Sequence, residues 1–309
     1  MTPDLAMADQ LSELNETFGR AGAVNFEMQF GGVVAVLKSA SGTAITALQG
    51  AQVLSWVPAG GREVLWLSPV AALNTGKAVR GGIPVCWPWF GPAPGIAGGS
   101  AKPAHGFVRA APWEVVETSA SGEEVKLRLR FDATAIEPAV WPHQAVSEIQ
   151  IVLDEELIVA LATKNLGKTP FDLTQALHTY LAVGDVADIS IEGLDGCSFI
   201  DQLAPGHLKV QDGAIQIVGE VDRIYQGCRG RVSVLDRANA RRIDVAKTGS
   251  TSTVVWNPGI EKSARLGDMG ENGYRRMMCV ETANAGQDVV TLARGARHQL
   301  LSRLSVSAL

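Results

Sequence analysis

Glu281 is the residue whose type and position most clearly suggest chemistry. It follows the apolar run Met277–Val280, which has the length of a short strand, so the pattern places its carboxylate on a buried strand. Burial raises the pKa of a carboxylate unless a partner offsets the desolvation, and a raised pKa suits a general base that works near neutral pH. The alternative is a strand-end glutamate that reaches water or pairs with Arg275 or Arg276. This stretch alone leaves both interpretations open.

His178 is the histidine whose neighbours favour a place in a site. In the segment 173–181 (LTQALHTYL), strand alternation places it on a small and polar face with Thr174, Ala176 and Tyr180. The opposite face carries Leu173, Leu177 and Leu181. A lone histidine is more often a structural residue, so a role in chemistry depends on a partner. Three others lack a comparable setting and are interpreted as surface or structural residues: His143, His207 and His298.

Two arginines are candidates for binding an anion. Arg80 lies in segment 77–92 (KAVRGGIPVCWPWFGP), where paired glycines allow close backbone approach and aromatic rings offer flat apolar faces. Arg109 ends the segment HGFVR, which begins at His105. Two guanidinium groups suit a phosphate because they donate forked, charge-assisted hydrogen bonds. The alternatives are a buried irregular turn filled by aromatics, and arginines that only form surface ion pairs.

Asp222 is a weaker candidate, within the segment GEVDRIY (219–225). Its carboxylate can accept hydrogen bonds from sugar hydroxyls, or it can simply pair with Arg223 or Arg229.

Composition limits the class of protein. The chain has 309 residues, 46% of them hydrophobic, and no run of about 18 apolar residues that would span a membrane. The net charge of -5 shows no excess of positive charge of the kind that nucleic-acid binding requires. The N-terminus lacks the basic start and apolar core of a signal peptide, so we expect a soluble, cytoplasmic protein. The cysteines are far apart without CxxC spacing, which favours a reducing compartment and argues against structural zinc: Cys86, Cys197, Cys228 and Cys279.

Periodicity predicts an all-β fold. One helix is expected over residues 2–18. From Val24 onward, hydrophobic residues recur at every second position, and turn residues interrupt this pattern about every ten positions. In the run 125–131, apolar and charged residues alternate at every position, which predicts an antiparallel strand. The end of the chain is predicted to form a hairpin of 289–292 and 299–306. Segment 91–103 is interpreted as a long surface loop near a functional site. We expect one domain over 1–309, with a helical extension (1–20) and a β-sandwich or barrel (24–309).

The motifs, in this order, resemble the D-hexose-6-phosphate mutarotases (glucose-6-phosphate 1-epimerases) of the wider aldose 1-epimerase group. The resemblance is carried by LQGAQVLSW (48–56), EVLWLSP (63–69), VRGGIPVCWPWFGP (79–92), HGFVR (105–109), ALHTYLAVGD (176–185), DRIY (222–225) and WNPG...CVET (256–282). It implies a large antiparallel β-sandwich of the galactose-mutarotase type, with the sugar site on a concave sheet face.

The resemblance also implies roles for individual residues. His178 would be the general acid and Glu281 the general base, with Arg80 and Arg109 at the phosphate and Asp222 at a sugar hydroxyl. Family members often carry a polar residue where this chain has Ala104. That contact is then lost, replaced by backbone or water, or made by the substrate-binding candidate His105.

The expected reaction interconverts the α and β anomers of glucose 6-phosphate and related hexose 6-phosphates by ring opening and closure. It needs one acid and one base, and no metal or organic cofactor. We expect a sugar phosphate as the ligand, no nucleic-acid or membrane partner, and a monomer. Two alternatives stay open: an epimerase of unphosphorylated aldoses, and a carbohydrate-binding protein without turnover. No HExxH or GxSxG motif supports a hydrolase.

Overall fold

The computed structural model describes residues 3–93, 102–204 and 206–309. It begins with helix α1 (Pro3–Phe18), which confirms the predicted helix. Leu11, Leu14 and Phe18 pack against the core of the protein. Asn15 also exchanges two hydrogen bonds of 2.8 Å with the backbone of Phe26, so the helix is fixed to the outside of the first strand.

Short strands make up most of the rest of the described chain. In the first half they are Val24–Gln29 (β1), Gly32–Ser39 (β2), Gly42–Ala47 (β3), Val53–Pro58 (β4), Val85–Cys86 (β5), Glu114–Ser121 (β6), Glu124–Asp132 (β7), Ala145–Leu153 (β8) and Leu157–Asn165 (β9). Next come Phe171–Leu173 (β10), Gln175–Leu177 (β11), Tyr180–Ala182 (β12), Ile189–Glu192 (β13), Ser198–Asp201 (β14), Lys209–Val210 (β15) and Val221–Gln226 (β16). The last are Val232–Asp236 (β17), Arg241–Thr248 (β18), Ser252–Asn257 (β19), Met277–Asn284 (β20), Val290–Leu292 (β21) and Arg297–Ala308 (β22).

In the described part of the chain, a second helix and four short 3-10 helices interrupt the strands. Helix α2 spans Gly259–Leu266, between β19 and β20. The 3-10 helices are Ala133–Ala135, Val186–Asp188, Arg237–Asn239 and Gly273–Arg276.

One large sheet, called here the regular sheet, has the strand order β13-β17-β18-β22-β9-β8-β7-β6. Its strands pair antiparallel throughout, and several are eight or more residues long. In β7 the positions alternate between buried and half-exposed, as the sequence of 125–131 predicts. This alternation is typical of an antiparallel strand with one face on the core and one toward water.

The second large sheet, called the site sheet, has the order β15-β14-β16-β19-β20-β11-β5, with β12 also pairing with β20. Leu129 and Ile149 of the regular sheet lie in one hydrophobic core with Leu177 and Val280 of the site sheet. The two sheets therefore pack face to face, which confirms the predicted antiparallel β-sandwich. A four-stranded sheet, β1-β2-β3-β4, and the pair β10-β21 complete the fold.

The segment 173–181, predicted as one continuous strand, lies on three short strands, β10, β11 and β12. The backbone N–H of His178 donates to the carbonyl of Pro84, outside the strand ladder, and the N–H of Thr179 turns back to Leu177. The predicted alternation of faces survives these breaks, because Leu177 lies in the core and Tyr180 lies on the opposite side of the sheet.

The predicted C-terminal hairpin is wrong. β21 pairs with β10, whereas β22 pairs with β18 and β9. The physical reason is Asn165, whose backbone exchanges hydrogen bonds with Gly295 and Ala296 and whose Nδ2 donates to the carbonyl of Leu292. The turn is thus held by β9, and the chain changes sheets there.

Two of the four cysteines, although far apart in sequence, are paired in the structure, which the spacing argument for a reducing compartment did not anticipate. Cys197 and Cys228 form a disulfide between the start of β14 and the end of β16, with a Cα–Cα distance of 6.2 Å. These strands pair with Ser198 opposite Gln226, which brings the two cysteines together despite their separation in sequence. Cys86 and Cys279 are free and buried. A cytoplasmic location stays a prediction. None of the described helices has the length and apolar character needed to cross a membrane.

Candidate active site

A cavity of about 480 Å³ opens on the side of the site sheet that faces away from the core. Its lining includes all six residues predicted from the sequence, although their positions extend from 80 to 281: Arg80, His105, Arg109, His178, Asp222 and Glu281. Its volume lies within the usual range for a site that binds a small molecule.

His178 and Glu281 form a close pair in this cavity. His178 Nε2 lies 3.3 Å from Glu281 Oε1, and their side chains are 10% and 1% exposed. Glu281 projects from β20, all eight residues of which are buried. The alternative partners of Glu281 are engaged elsewhere, since Arg275 pairs with Asp185 and Arg276 donates to the carbonyl of Gly184.

Burial opposes charge on both members of this pair. It raises the pKa of Glu281 well above its ordinary value; nearby Asp222 acts in the same direction and Arg109 in the opposite one. Burial also lowers the pKa of His178 well below its ordinary value, and the neighbouring His105 and arginines add to this effect. Burial therefore favours the uncharged forms of both groups, a neutral imidazole and a protonated carboxyl group.

Each member of the pair also has a polar atom available to a ligand. Within the described part of the chain, Glu281 Oε2 and His178 Nδ1 have no hydrogen-bond partner. An unpaired buried polar atom costs about 1–3 kcal/mol, and a ligand that binds it recovers this free energy.

Arg80 has protein partners of its own. Its Nε lies 3.1 Å from both carboxylate oxygens of Asp268, its Nη2 lies 3.0 Å from one of them, and its Nη1 donates to the hydroxyl of Tyr180 at 3.1 Å. The ion-pair alternative considered for Arg80 is therefore observed, while the guanidinium still lines the cavity. Asp268 lies 188 residues away in sequence, and sequence reasoning did not identify it.

Arg109 is held differently. Its Nη2 donates to the backbone carbonyl of Ala104 at 2.8 Å. This partner is neutral, so it orients the guanidinium without compensating its charge. The backbone of Ala104 thus contributes to the site at the position where the side chain cannot.

His105 lines the cavity beside the catalytic candidates. Its Nδ1 accepts a hydrogen bond of 3.3 Å from the N–H of Gly91, and its ring lies edge-on to Phe90. Burial, followed by the charges of Arg109 and Arg80, lowers the pKa of His105 to about 4. The ring is therefore neutral at pH 7 and carries its proton on Nε2, which makes that nitrogen a hydrogen-bond donor.

The backbone at residues 105–106 explains why a glycine follows His105. Gly106 has φ +77°, and a Cβ at this position would lie only 1.7 Å from the carbonyl oxygen of Trp87. A glycine is required for this close approach, which joins the two loops that carry His105 and the aromatic run.

Asp222 and Lys262 form the opposite side of the cavity. Lys262 Nζ lies 2.8 Å from Glu220 Oε1 and 3.5 Å from Asp222 Oδ2, and 6.0 Å from the ring centroid of Trp256. Burial raises the pKa of Asp222, although Lys262 opposes this shift. The expected partner Arg223 lies instead over the ring of Phe199. Sequence reasoning missed Lys262, because a lone lysine in a helical segment carries no signal of its own.

The residues 94–101 of the predicted loop 91–103 lie outside the described residues. The residues before them, Gly91 and Pro92, line the cavity, which agrees with a loop near a site.

The geometry describes a class of site: an acid/base pair, hydrogen-bonding groups for hydroxyls, and cations for an anionic group. The chain belongs to the aldose 1-epimerase family, a family of isomerases, since residues 34–305 match the sequence model of that family.

Within this family the chain is similar to proteins provisionally named glucose-6-phosphate 1-epimerase. One from Escherichia coli K12 is 38% identical, over 78% of this chain and 79% of its own length. One from Cenchrus ciliaris is 31% identical, over 84% of this chain and 80% of its own length. A solved structure from Salmonella typhimurium, provisionally named a mutarotase, has a TM-score of 0.85 and 31% identity over 93% of this chain and 94% of its own. The resemblance inferred from the motifs is thereby confirmed, as is the galactose-mutarotase type of fold.

Proposed function

We propose that this protein interconverts the α and β anomers of hexose 6-phosphates, with glucose 6-phosphate as the representative substrate. The observation that carries the proposal is the His178–Glu281 pair, 3.3 Å apart, in a cavity that is also lined by Arg80, Arg109 and Lys262. The names of the relatives support the same substrate class.

The chemistry of a cyclic hemiacetal assigns a task to each member of the pair. Glu281 takes the proton of the C1 hydroxyl while His178 delivers a proton to the ring oxygen, so the ring opens to an aldehyde. Rotation about the C1–C2 bond and closure, with the two roles exchanged, give the other anomer. Each positioned proton transfer contributes about 10²- to 10⁴-fold in rate.

The starting charge state follows from the burial of the pair. The reaction needs an ionised Glu281 and a protonated His178, whereas burial favours the uncharged forms. Both states carry the same number of protons, so moving one proton from Glu281 to His178 across the 3.3 Å contact converts the uncharged state into the charged one without exchange with water. Substrate hydroxyls stabilise the charged state by donating to Glu281 Oε2, which has no partner within the described residues.

Arg109 is the better placed of the two arginines for the phosphate. Its described partner is a neutral carbonyl, whereas Arg80 is bound to Asp268 through two nitrogens. A phosphate at Arg109 gains an uncompensated positive charge, and Arg80 contributes by sharing its guanidinium between the phosphate and Asp268.

A second candidate function is the epimerisation of unphosphorylated aldoses. The Arg80–Asp268 ion pair favours it, because an arginine already neutralised by a carboxylate is less effective toward an anion.

The deciding experiment measures anomer exchange by magnetisation-transfer NMR for glucose 6-phosphate and glucose, using the natural protein and its Arg109→Ala variant. A lost charged hydrogen bond costs about 1.5–3 kcal/mol, so we expect about 10- to 100-fold slower exchange of the phosphorylated sugar and no change for glucose. Arg303→Ala is the matched control, since Arg303 pairs with Glu156 on the regular sheet. Equal rates for both sugars in the natural protein, unaffected by Arg109→Ala, would favour the second candidate.

A further inference from the structure

Three different metal-ligand side chains meet beside the cavity: His178 and Glu281 line it, and Cys279 is buried next to them. The imidazole of His178, the thiol of Cys279 and the carboxylate of Glu281 each present one ligand atom, and these atoms lie within 4.8 Å of one another. Zinc–ligand bonds of 2.0–2.3 Å in a tetrahedral site place neighbouring ligand atoms about 3.3–3.8 Å apart. The His178–Glu281 distance of 3.3 Å already meets this requirement. The largest separation of 4.8 Å has to shrink to about 3.6 Å for a nitrogen or oxygen and a sulfur ligand, so the sulfur has to move by up to about 1.2 Å.

The sheet explains why these three side chains converge. Cys279 and Glu281 are two residues apart in β20, so they project from the same face of the site sheet. Tyr180 pairs with Cys279 across the β12–β20 ladder, and the ring of His178 stacks on Tyr180 at 4.8 Å. Two of the ligands thus lie on the paired strand β20, and the third, His178, is fixed by its buried stacking on Tyr180, so all three are preorganised.

The proposed reaction leaves part of this cluster without a task. Cys279 is fully buried, and neither the acid nor the base step uses its thiol. Within the described residues, Glu281 Oε2 and His178 Nδ1 also lack hydrogen-bond partners. Glu281, with a side chain only 1% exposed, thus has one buried carboxylate oxygen without a partner, next to a thiol and an imidazole.

The charge balance of the cluster suits a divalent cation. The pair holds one proton and the thiol holds another, so a dication that displaces both protons leaves the total charge unchanged. Two of the cations around the cavity are neutralised by carboxylates, Arg80 by Asp268 and Lys262 by Glu220. Arg109 has no carboxylate partner among the described residues, and its repulsion weakens binding without blocking the three ligand atoms.

We propose that His178, Cys279 and Glu281 form an inhibitory binding site for a thiophilic divalent cation, with Zn²⁺ as the representative ion. Imidazole, thiolate and carboxylate are all ligands that zinc accepts, and three protein ligands leave a fourth position open to water or substrate. A bound ion occupies the lone pairs that the acid and the base need, so it stops anomer exchange until a chelator removes it. The effect on activity rests on the proposed function, whereas the binding itself does not.

The test uses Co²⁺ as a spectroscopic probe and Zn²⁺ as its competitor on the full chain. We expect one equivalent of Co²⁺ to give a thiolate-to-cobalt charge-transfer band that Zn²⁺ removes. Zn²⁺ should also abolish anomer exchange, and a chelator should restore it. The Cys279→Ala variant should lose the band, bind Zn²⁺ at least about 10-fold more weakly, and keep its exchange activity when Zn²⁺ is added.

The matched control is Cys86→Ala, because Cys86 is the other free, buried cysteine and lies in the same hydrophobic cluster as Cys279. It should behave like the natural protein. Cys279→Ser is a second variant in case Cys279→Ala is unstable, and it should lose the same band. An unchanged band or unchanged zinc affinity in these Cys279 variants overturns the proposal, as does the absence of stoichiometric binding. Zinc binding that depends on Cys279 in a protein without exchange activity would support the metal site and refute the proposed function.

Discussion

The two large sheets of the sandwich have the same architecture but different requirements for burial. In the regular sheet, β7 alternates between buried and half-exposed positions, so only one of its faces must be apolar. In the site sheet, all eight residues of β20 are buried. Met278 and Val280 lie in the core between the sheets, while Met277 and Cys279 lie in a second hydrophobic cluster on the opposite side. Strand β20 is therefore covered on both faces.

This difference shows how a chemically reactive pair can be held in a stable fold. The site sheet keeps Glu281 and His178 away from water, which shifts their pKa values but leaves polar atoms unpaired, within the described residues, at a cost of about 1–3 kcal/mol each. The regular sheet supplies long, paired strands and holds neither member of the reactive pair. Three substitutions test this division between function and stability.

The largest expected effect is on function in the site sheet. Glu281→Gln keeps the shape of the side chain but removes the base, so we expect anomer exchange to fall by about 10²- to 10⁴-fold. The free energy of unfolding should not fall, because the variant no longer has a carboxyl group that resists ionisation in its buried position. Magnetisation transfer and chemical denaturation measure the two quantities.

The pH dependence of stability provides the control for this variant. Because the folded-state pKa of Glu281 is raised, its stabilising contribution is fully present below the unfolded-state value and is lost as pH rises through the folded-state value. The natural protein should therefore lose stability relative to Glu281→Gln as pH rises above about 4.5. A constant difference between the two proteins across this range would contradict the buried, uncharged carboxyl group.

The second effect is on stability in the regular sheet. Leu129 is completely buried in the middle of β7, and Leu129→Ala should lower the free energy of unfolding by about 2–5 kcal/mol through lost burial and a cavity. Exchange activity per folded molecule should stay within a factor of about two, since Leu129 lies in the core and not at the cavity. A large loss of activity in the folded variant would show that the two sheets are not separable in this way.

The smallest effect is expected at the surface of the regular sheet. Arg303 pairs with Glu156 at 2.8 Å, but their side chains are 48% and 29% exposed. Arg303→Ala should change the free energy of unfolding by about 0–1 kcal/mol, because water and salt screen an exposed ion pair. Denaturation at low and high salt checks this, and a salt-independent loss above that range would contradict the prediction.

The regular sheet was the easier part to predict from sequence, since one buried face produces alternation at 125–131. The identity of the site residues came from motifs, while their convergence in one cavity depends on strand pairings between distant segments. The same limit explains what sequence reasoning missed. Arg80 forms an ion pair with Asp268, Cys197 forms a disulfide with Cys228, and β21 pairs with β10 and not with β22. Each of these is a contact between segments that local patterns do not connect.

The place of β22 in the regular sheet has a consequence for how this protein is made. Strand β22 lies between β18 and β9, so it joins two groups of strands that have no other pairing with each other within the described residues. During synthesis, β6–β9 can pair as each strand emerges, but the sheet cannot close until residues 297–308 have left the ribosome. The growing chain therefore presents an unpaired edge of β9 from residue 165 until β22 is made, and an unpaired edge of β18 over the shorter interval after residue 248. These edges are where intermolecular strand pairing would begin.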